Sequence, residues 1–371
     1  MSEQIEQRIK EIEEEMRKTQ YNKATQGHFA TLKARLAQLR SELVERAQAS
    51  KKKGSGFSIK KHGDATVILI GFPSVGKSTL LNAVTNKESK VGAYDFTTLD
   101  AIPGMMNYDG KYKGANIQIL DLPGIISGGA VGKGRGREIF STVRNADLVL
   151  ILLDAQRPDD YFTIIEELHE ANIRLDQNPP NIRIRKNSYG GINISGFRTD
   201  VSDEEIKNVL RTYRIMNADV FLNEEDITLD QIIDNIAGNR KYVPSIAVVN
   251  KVDLINRKKL LQYEKLIGRN VLPISAEKEL GLEKLKEVIV DKIGLMRVFL
   301  RQPGKKADLE EPMIMKRGST IEDLCRRIHG RFVDDFRFAN VWGSSAKFPG
   351  QKVGLTHVIE DSDVIKIMLL K

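Results

Sequence analysis

Residues 71–78 read Gly-Phe-Pro-Ser-Val-Gly-Lys-Ser, and this octapeptide constrains the fold more than any other stretch of the chain. It follows the apolar run Ala65 to Ile70 and precedes a helical pattern beginning near Thr79. In that setting the two glycines let backbone N–H groups point inward at the mouth of a helix, where the dipole favours an anion. Gly71, Phe72, Pro73, Ser74, Val75, Gly76, Lys77, Ser78 and Thr79 are therefore expected to cradle phosphate groups. Lys77 neutralises the β- and γ-phosphates, and the Ser78 hydroxyl is placed for Mg2+.

Further motifs follow in a telling order. Asp121-Leu122-Pro123-Gly124 comes after the apolar run Ile117 to Leu120, so Asp121 ends a strand and can hold Mg2+ directly or through water. The Gly124 N–H can then sense the γ-phosphate. Asn250-Lys251-Val252-Asp253 follows the apolar run Ile246 to Val249. A carboxylate there accepts from guanine N1–H and its exocyclic amine, whereas adenine presents an acceptor at N1, so Asp253 selects guanine. Ser275-Ala276, after Val271 to Ile274, can close over the base. Between the phosphate loop and Asp121 lies Tyr94-Asp95-Phe96-Thr97-Thr98. One threonine, with Thr98 favoured over Thr97, would reach Mg2+ only while the γ-phosphate is present, which makes a switch. Lys77, Thr98 and Gly124 are the candidate catalytic groups, and Ser78, Thr98 and Asp121 the candidate metal ligands.

The rest of the chain organises around these motifs. Short β-rich runs alternating with helices from residue 65 onward argue for a mostly parallel, doubly wound α/β sheet. Asp121 and Asn250 should stand about two βα units apart, roughly 60 residues. The numbering separates them by 129. The excess falls on a helix expected from about Asp159 to Asp176, then Ile182, Ile184, Gly190-Gly191, Ile192 and Ile194 as strands around a turn, then a helix capped by Ser202 and running through Tyr213. This reads as an inserted βαβ-type subdomain. Upstream, Ile5, Ile9, Ile12 and Met16, then Leu32, Leu36, Leu39 and Leu43, form apolar stripes of two helices, a hairpin equally suited to packing on the next domain or to RNA contact. Residues 51–63 form a basic linker. Downstream of 295, β-like runs around one helix, Thr320 to His329, read as a separate small α+β domain.

Charge is distributed unevenly. Of the net +8, residues 1–63 hold 14 basic and 8 acidic side chains, and residues 296–371 hold 14 and 10. The middle is slightly acidic. Two basic ends point to a polyanionic partner. No apolar run approaches the roughly 20 residues of a membrane helix, so no membrane partner is expected. The N-terminus lacks a signal-peptide pattern and Cys325 is the only cysteine, which fits a cytoplasmic location. The five histidines have no companions at metal-ligand spacing. Trp342, Phe332, Phe336 and Phe338 are read as core of the last domain rather than as base-stacking groups.

The motifs GFPSVGKST at 71–79, YDFTTLD at 94–100, DLPGIISGGAVGKGRGRE at 121–138 and NKVD at 250–253 resemble those of the Obg superfamily of GTPases, and most closely the DRG (developmentally regulated GTP-binding) family. The resemblance spans essentially the whole chain. It implies an N-terminal helical hairpin over 1–50, a P-loop GTPase domain over 64–177 and 242–295, an insertion over 178–241 and a C-terminal β-grasp TGS domain over 296–371. It further implies a cytosolic GTPase bound to GTP or GDP, associated with ribosomes and translation and often paired with a stabilising partner protein. Many GTPases orient the attacking water with a Gln directly after Asp-X-X-Gly; here that position is Ile125, followed by Ile126, and the family is similar in carrying an aliphatic residue there. Slow hydrolysis is expected, accelerated by a partner or by rearrangement of Ser127 to Gly136. Arg135 and Arg137 are read first as solvated loop residues. Some related GTPases hold a monovalent cation partly through an Asn of the phosphate loop; Ser74 stands at that position, so K+ is left open.

Overall fold

The computed structural model describes residues 2–20, 22–49, 63–85, 102–121, 143, 145–197, 199–268, 271–301 and 309–370. Thr97, Thr98, Gly124, Ile125, Ile126, Arg135, Arg137 and nearly all of the 51–63 linker lie outside these residues. The main sheet contains β1 (Ala65–Ile70), β2 (Ile102–Tyr108), β3 (Ala115–Asp121) and β4 (Leu148–Asp154), joined after a long excursion by β10 (Ser245–Asn250) and β11 (Leu272–Pro273). Its order is β11-β10-β4-β1-β3-β2. Every pairing is parallel except β2 with β3. β1, β4 and β10 are buried along their whole length, as strands covered on both faces must be, which explains their unbroken apolar sequences. Helices Lys77–Val84 and Leu282–Ile293 supply Leu80, Leu81, Leu285 and Ile289 to the core beneath the sheet. The expected P-loop GTPase architecture is therefore present.

The excursion carries β5 (Ile173–Leu175), β6 (Ile182–Lys186), β7 (Ile192–Gly196), β8 (Ala218–Leu222) and β9 (Lys241–Val243). One expectation changes here. The helix placed over Asp159 to Asp176 ends at Glu170, because Asn172 takes a left-handed conformation (φ 66) and the chain enters β5, which pairs in parallel with β9. That pairing puts Thr163–Val243 in one compact unit with the N-terminal helices, an earlier division than position 178. Within it, β7, helix Asp203–Thr212 and β8 form a βαβ unit, and β6 adds an antiparallel edge. Ser202 caps the helix as its sequence indicates: its Oγ accepts from Glu205 N–H, and Glu205 returns a bond to Ser202 N–H.

In the same unit the N-terminal helices Ser2–Lys18 and Gln26–Ala49 join through Ile5, Ile9 and Leu43. Ala30 and Ala34 of the second helix enter the core built on Val209, Leu210 and Val220. Small side chains at this contact let the helix backbone sit close to the insertion. Arg40 bridges Glu13 and Glu170 at 2.9 and 2.6 Å. Beneath lies a buried ionic cluster in which Asp234 receives Arg174 at 2.6 and 2.8 Å and Arg240 at 2.5 Å. Arg240 also donates to Ser41 Oγ of the second helix.

The second compact unit includes the main sheet and residues Pro244–Lys371. Its C-terminal sheet holds β12 (Leu295–Leu300), β13 (Met313–Lys316), β14 (Phe336–Trp342), β15 (Gln351–Val353) and β16 (Asp363–Leu369), in the order β13-β12-β16-β14-β15. Helix Ile321–Ile328, capped by Thr320, crosses one face and buries Ile321, Leu324 and Cys325 against Val298, Ala339, Val341 and Ile365. Phe332 and Phe336 pack on this core. Phe338 and Trp342 depart from the expectation. They alternate along β14 with buried Ala339 and Val341 and so face away; Lys352 lies over Phe338 at 3.9 Å and Arg301 over Trp342 at 5.1 Å. Arg327 pairs with Asp64, and Lys316 with Asp147 at 2.5 Å, fixing the small domain to the ends of β1 and β4 remote from the phosphate loop.

Removing Asp234 leaves two buried guanidinium groups without their shared counter-charge. Asp234→Ala should cost about 3–5 kcal/mol in urea unfolding. Tyr213 nearby has a buried hydroxyl with no hydrogen-bond partner among the described residues, and burial pushes its pKa up from 10.0 to about 12. The folded chain thus holds that proton more tightly than the unfolded one, so this stability is intact below about pH 10 and falls as the pH rises towards 12. Tyr213→Phe should remove that alkaline limb while leaving the urea midpoint at pH 7 unchanged or higher.

Candidate nucleotide-binding site

Parallel strands deliver their C-terminal ends to one edge of the main sheet, and those expected site residues that the structure describes collect there. β1 ends at Ile70 and the chain turns through residues 71–76 into helix Lys77–Val84. Ser74 (φ 63) and Gly76 (φ 93) are both left-handed, which curls the backbone between them. At Gly76 the requirement is also spatial, because a Cβ would run into the amide nitrogen of Asn250. The Lys77 ammonium reaches back to the carbonyls of Gly71 and Phe72 at 3.0 and 3.1 Å, so its charge stands over the loop. Phe72, Pro73 and Val75 complete the loop, and Ser78 and Thr79 open the helix.

Asp121 closes β3 and is only 2% exposed. Its Oδ2 accepts from the Ser78 hydroxyl at 3.4 Å, while its Oδ1 is buried without a hydrogen-bond partner among the described residues. Burial pushes the Asp121 carboxyl above its ordinary value, with Lys77 and Ser78 pulling the other way. Burial likewise lowers the Lys77 ammonium against the pull of Asp121. A carboxylate oxygen left bare beside a serine hydroxyl is the donor set of a hard cation.

The other end of the site is built by β10 and β11. Asn250, 3% exposed, donates its side-chain amide to Val75 C=O at 2.8 Å, and its Oδ1 accepts from Ala276 N–H at 2.9 Å. Lys251 follows in a left-handed conformation (φ 63), which turns the chain into the short 3-10 turn Val252–Leu254 carrying Asp253. Its ammonium bonds Ser74 C=O at 2.8 Å and Asp154 Oδ2 at 2.7 Å. The Asp253 carboxylate receives the Ser275 hydroxyl and then the Lys278 ammonium, which together hold it below the usual range.

Two participants were not anticipated. Asp154 ends β4 in register with Asn250 and anchors Lys251. Burial raises its carboxyl, but Lys251 and the Gln156 N–H outweigh burial and leave it below its ordinary value. The available signal was an acidic residue closing the apolar run Leu148 to Leu153. Lys278, 3.1 Å from Asp253 Oδ2, had no comparable signal, being one charged residue of a polar loop.

Comparison with known proteins agrees with this geometry. A family profile described as "50S ribosome-binding GTPase" matches residues 66–187, the "C-terminal region of MMR_HSR1 domain" matches 189–295, and the TGS domain matches 296–369. An uncharacterized GTP-binding protein of Methanocaldococcus jannaschii is 48% identical over 370 residues, covering 98% of this chain and 93% of its own. Human developmentally-regulated GTP-binding protein 2 is 42% identical over 366 residues, covering 98% of each chain. A solved GTP-binding protein from Pyrococcus horikoshii aligns with 82% of this chain and 100% of its own at 14% identity and a TM-score of 0.43. With a phosphate loop, a strand-end aspartate and an Asn-Lys-X-Asp turn at one sheet edge, and with relatives alike over nearly their full length, this chain is a GTP-binding protein of the developmentally regulated GTP-binding (DRG) family.

Proposed function

We propose that the chain hydrolyses GTP to GDP and phosphate as a slow switch, stimulated by a partner and associated with ribosomes and translation. The observation that carries the reading is the buried Oδ1 of Asp121, which has no hydrogen-bond partner among the described residues, beside Ser78 and Lys77. Those residues fit Mg2+: Asp121 and Ser78 would hold it, with Thr98 added in the triphosphate state. The ion would neutralise charge on the β- and γ-phosphates. Lys77, freed from the carbonyls of Gly71 and Phe72, would meet the same oxygens, and the Gly124 N–H would report whether the γ-phosphate is there.

Slowness follows from Ile125, whose side chain has no group to orient water. The same residue favours a second reading, in which GTP is mainly structural and the chain serves as an RNA- or ribosome-binding module. Support for a polyanionic partner comes from the basic ends of the chain and from β14, where cations sit over the outward rings of Phe338 and Trp342. The family's described ribosome binding points the same way. Among the described residues no helix is long and apolar enough to cross a membrane. A cytoplasmic setting and a stabilising partner protein complete the proposal.

Single-turnover hydrolysis should be slow for the protein alone and faster with ribosomes; a fast rate without them would overturn the proposed stimulation. Lys77→Ala should weaken GTP binding by about 10- to 100-fold, since hydrogen bonds to charged groups contribute roughly 1.5–3 kcal/mol. Ribosome co-sedimentation should then differ between GTP, GDP and Lys77→Ala, and identical association in all three would favour the structural reading. Association should weaken steeply with salt while GTP affinity changes much less. Asn250→Ala, which strips partners from Val75 C=O and Ala276 N–H, should cost about 1–3 kcal/mol in unfolding and lower GDP affinity in parallel.

A further inference from the structure

The group that reads the base edge is shared. Lys278 Nζ lies 3.1 Å from Asp253 Oδ2, with the carboxylate 13% exposed and the lysine 59%. Although the lysine side chain reaches into solvent, the backbone that carries it is fixed. Ser275 and Leu280 exchange two hydrogen bonds, of 3.1 and 3.0 Å, and Lys278 N–H donates to Ser275 Oγ at 3.3 Å. Left-handed Glu279 (φ 56) and Gly281 (φ 74) complete the turn, and Ala276 N–H is tied to Asn250. The loop therefore presents an ammonium beside the carboxylate on a rigid base.

Purines differ in what they offer such a pair. Guanine presents two donors, N1–H and the 2-amine, and needs two acceptors. The Ser275 hydroxyl and the Lys278 ammonium both already donate to this carboxylate, and the ammonium competes with guanine at Oδ2. Xanthine keeps the N1–H donor but carries a carbonyl at C2. Against a lone carboxylate that carbonyl would face a second acceptor, but against Asp253 with Lys278 it finds a donor. Adenine has an acceptor at N1 and nothing to donate at C2, so the carboxylate stays unmet.

We propose that Lys278 sets the purine selectivity of this site, competing with guanine for Asp253 and donating to the C2 carbonyl of a 2-oxopurine, so that xanthosine nucleotides bind alongside guanosine nucleotides. The proposal rests on the assignment of guanine-nucleotide binding made above, and it adds a second ligand class to it. Attraction and interference arise from one residue, so removing it moves the two ligands in opposite directions.

The test is displacement of N-methylanthraniloyl-GDP by GDP, XDP and ADP from the full-length wild type, Lys278→Ala and Lys278→Gln, in Mg2+. An exposed ion pair of this kind corresponds to roughly a two- to fivefold change in affinity. Lys278→Ala should bind GDP tighter by about that factor and XDP more weakly, so that the XDP-to-GDP preference falls. Lys278→Gln, which keeps an N–H donor without the charge, should retain more XDP binding than Lys278→Ala. Raising salt should narrow the GDP difference between wild type and Lys278→Ala. An unchanged XDP-to-GDP preference, or weaker GDP binding by Lys278→Ala, overturns the role of Lys278 while leaving guanine-nucleotide binding intact. Failure of the wild type to bind N-methylanthraniloyl-GDP at all overturns both.

Discussion

One buried amide ties the nucleotide end of the sheet together. The Asn250 side chain donates to Val75 in the 71–78 loop and accepts from Ala276 in the loop after β11, 175 positions of sequence being bridged by the first bond. Both bonds are buried, so loss of either deprives a buried backbone group of this partner. Lys251 acts beside it on Ser74 C=O and Asp154. Two consecutive residues thus brace the phosphate loop from the base side. The 71–78 loop and the turn at Asn250–Asp253 are braced together, and Gly76 has no room for a side chain against the Asn250 amide.

What could be read from the sequence, and what could not, divides along a physical line. The phosphate loop, Asp121, Asn250 and Asp253 are legible because each is a short motif at the end of an apolar strand, where chemistry and backbone geometry demand particular residues. The Ser202 cap is legible because capping is local. The Asp154–Lys251 pair is not, since it depends on β4 lying beside β10, the partners being 97 positions apart in sequence. β5 has only three residues, and its pairing with β9 overrides the helical pattern that otherwise runs past Glu170. The antiparallel strand β2 hides behind Pro103 and Gly104, residues that depress strand propensity. In the small C-terminal domain, composition alone suggested that all four aromatics were core; alternation along β14 sends Phe338 and Trp342 outward.

The N-terminal helices illustrate how an amphipathic stripe can be right about a helix and silent about its partner. Leu36, Leu39 and Leu43 serve the contact with the first helix, yet attachment to the insertion runs through Ala30 and Ala34, which no hydrophobicity pattern singles out. The ionic cluster at Asp234 adds direction to that attachment. Apolar contact tolerates sliding, whereas two guanidinium groups sharing one buried carboxylate, with Ser41 as a further acceptor, fit in a single register.

Formal charge overstates how much cation is available to a partner, because several residues behind the +8 already have carboxylates. Lys33 pairs with Asp230 and Arg40 with Glu13 and Glu170 at the N-terminal end. In the C-terminal domain Arg297 pairs with Asp361, Arg326 with Glu322, and Lys316 and Arg327 fasten the domain to Asp147 and Asp64. Lys352 and Arg337, over Phe338, are of another kind. A ring face positions a cation without neutralising it, so Lys352 and Arg337 keep their charge at reduced side-chain freedom. An anion approaching β14 would meet charge that is already ordered, and the entropy lost on binding would be correspondingly smaller. Ring-held Lys352 and Arg337, rather than the net count, therefore mark where the proposed polyanion would meet ordered charge.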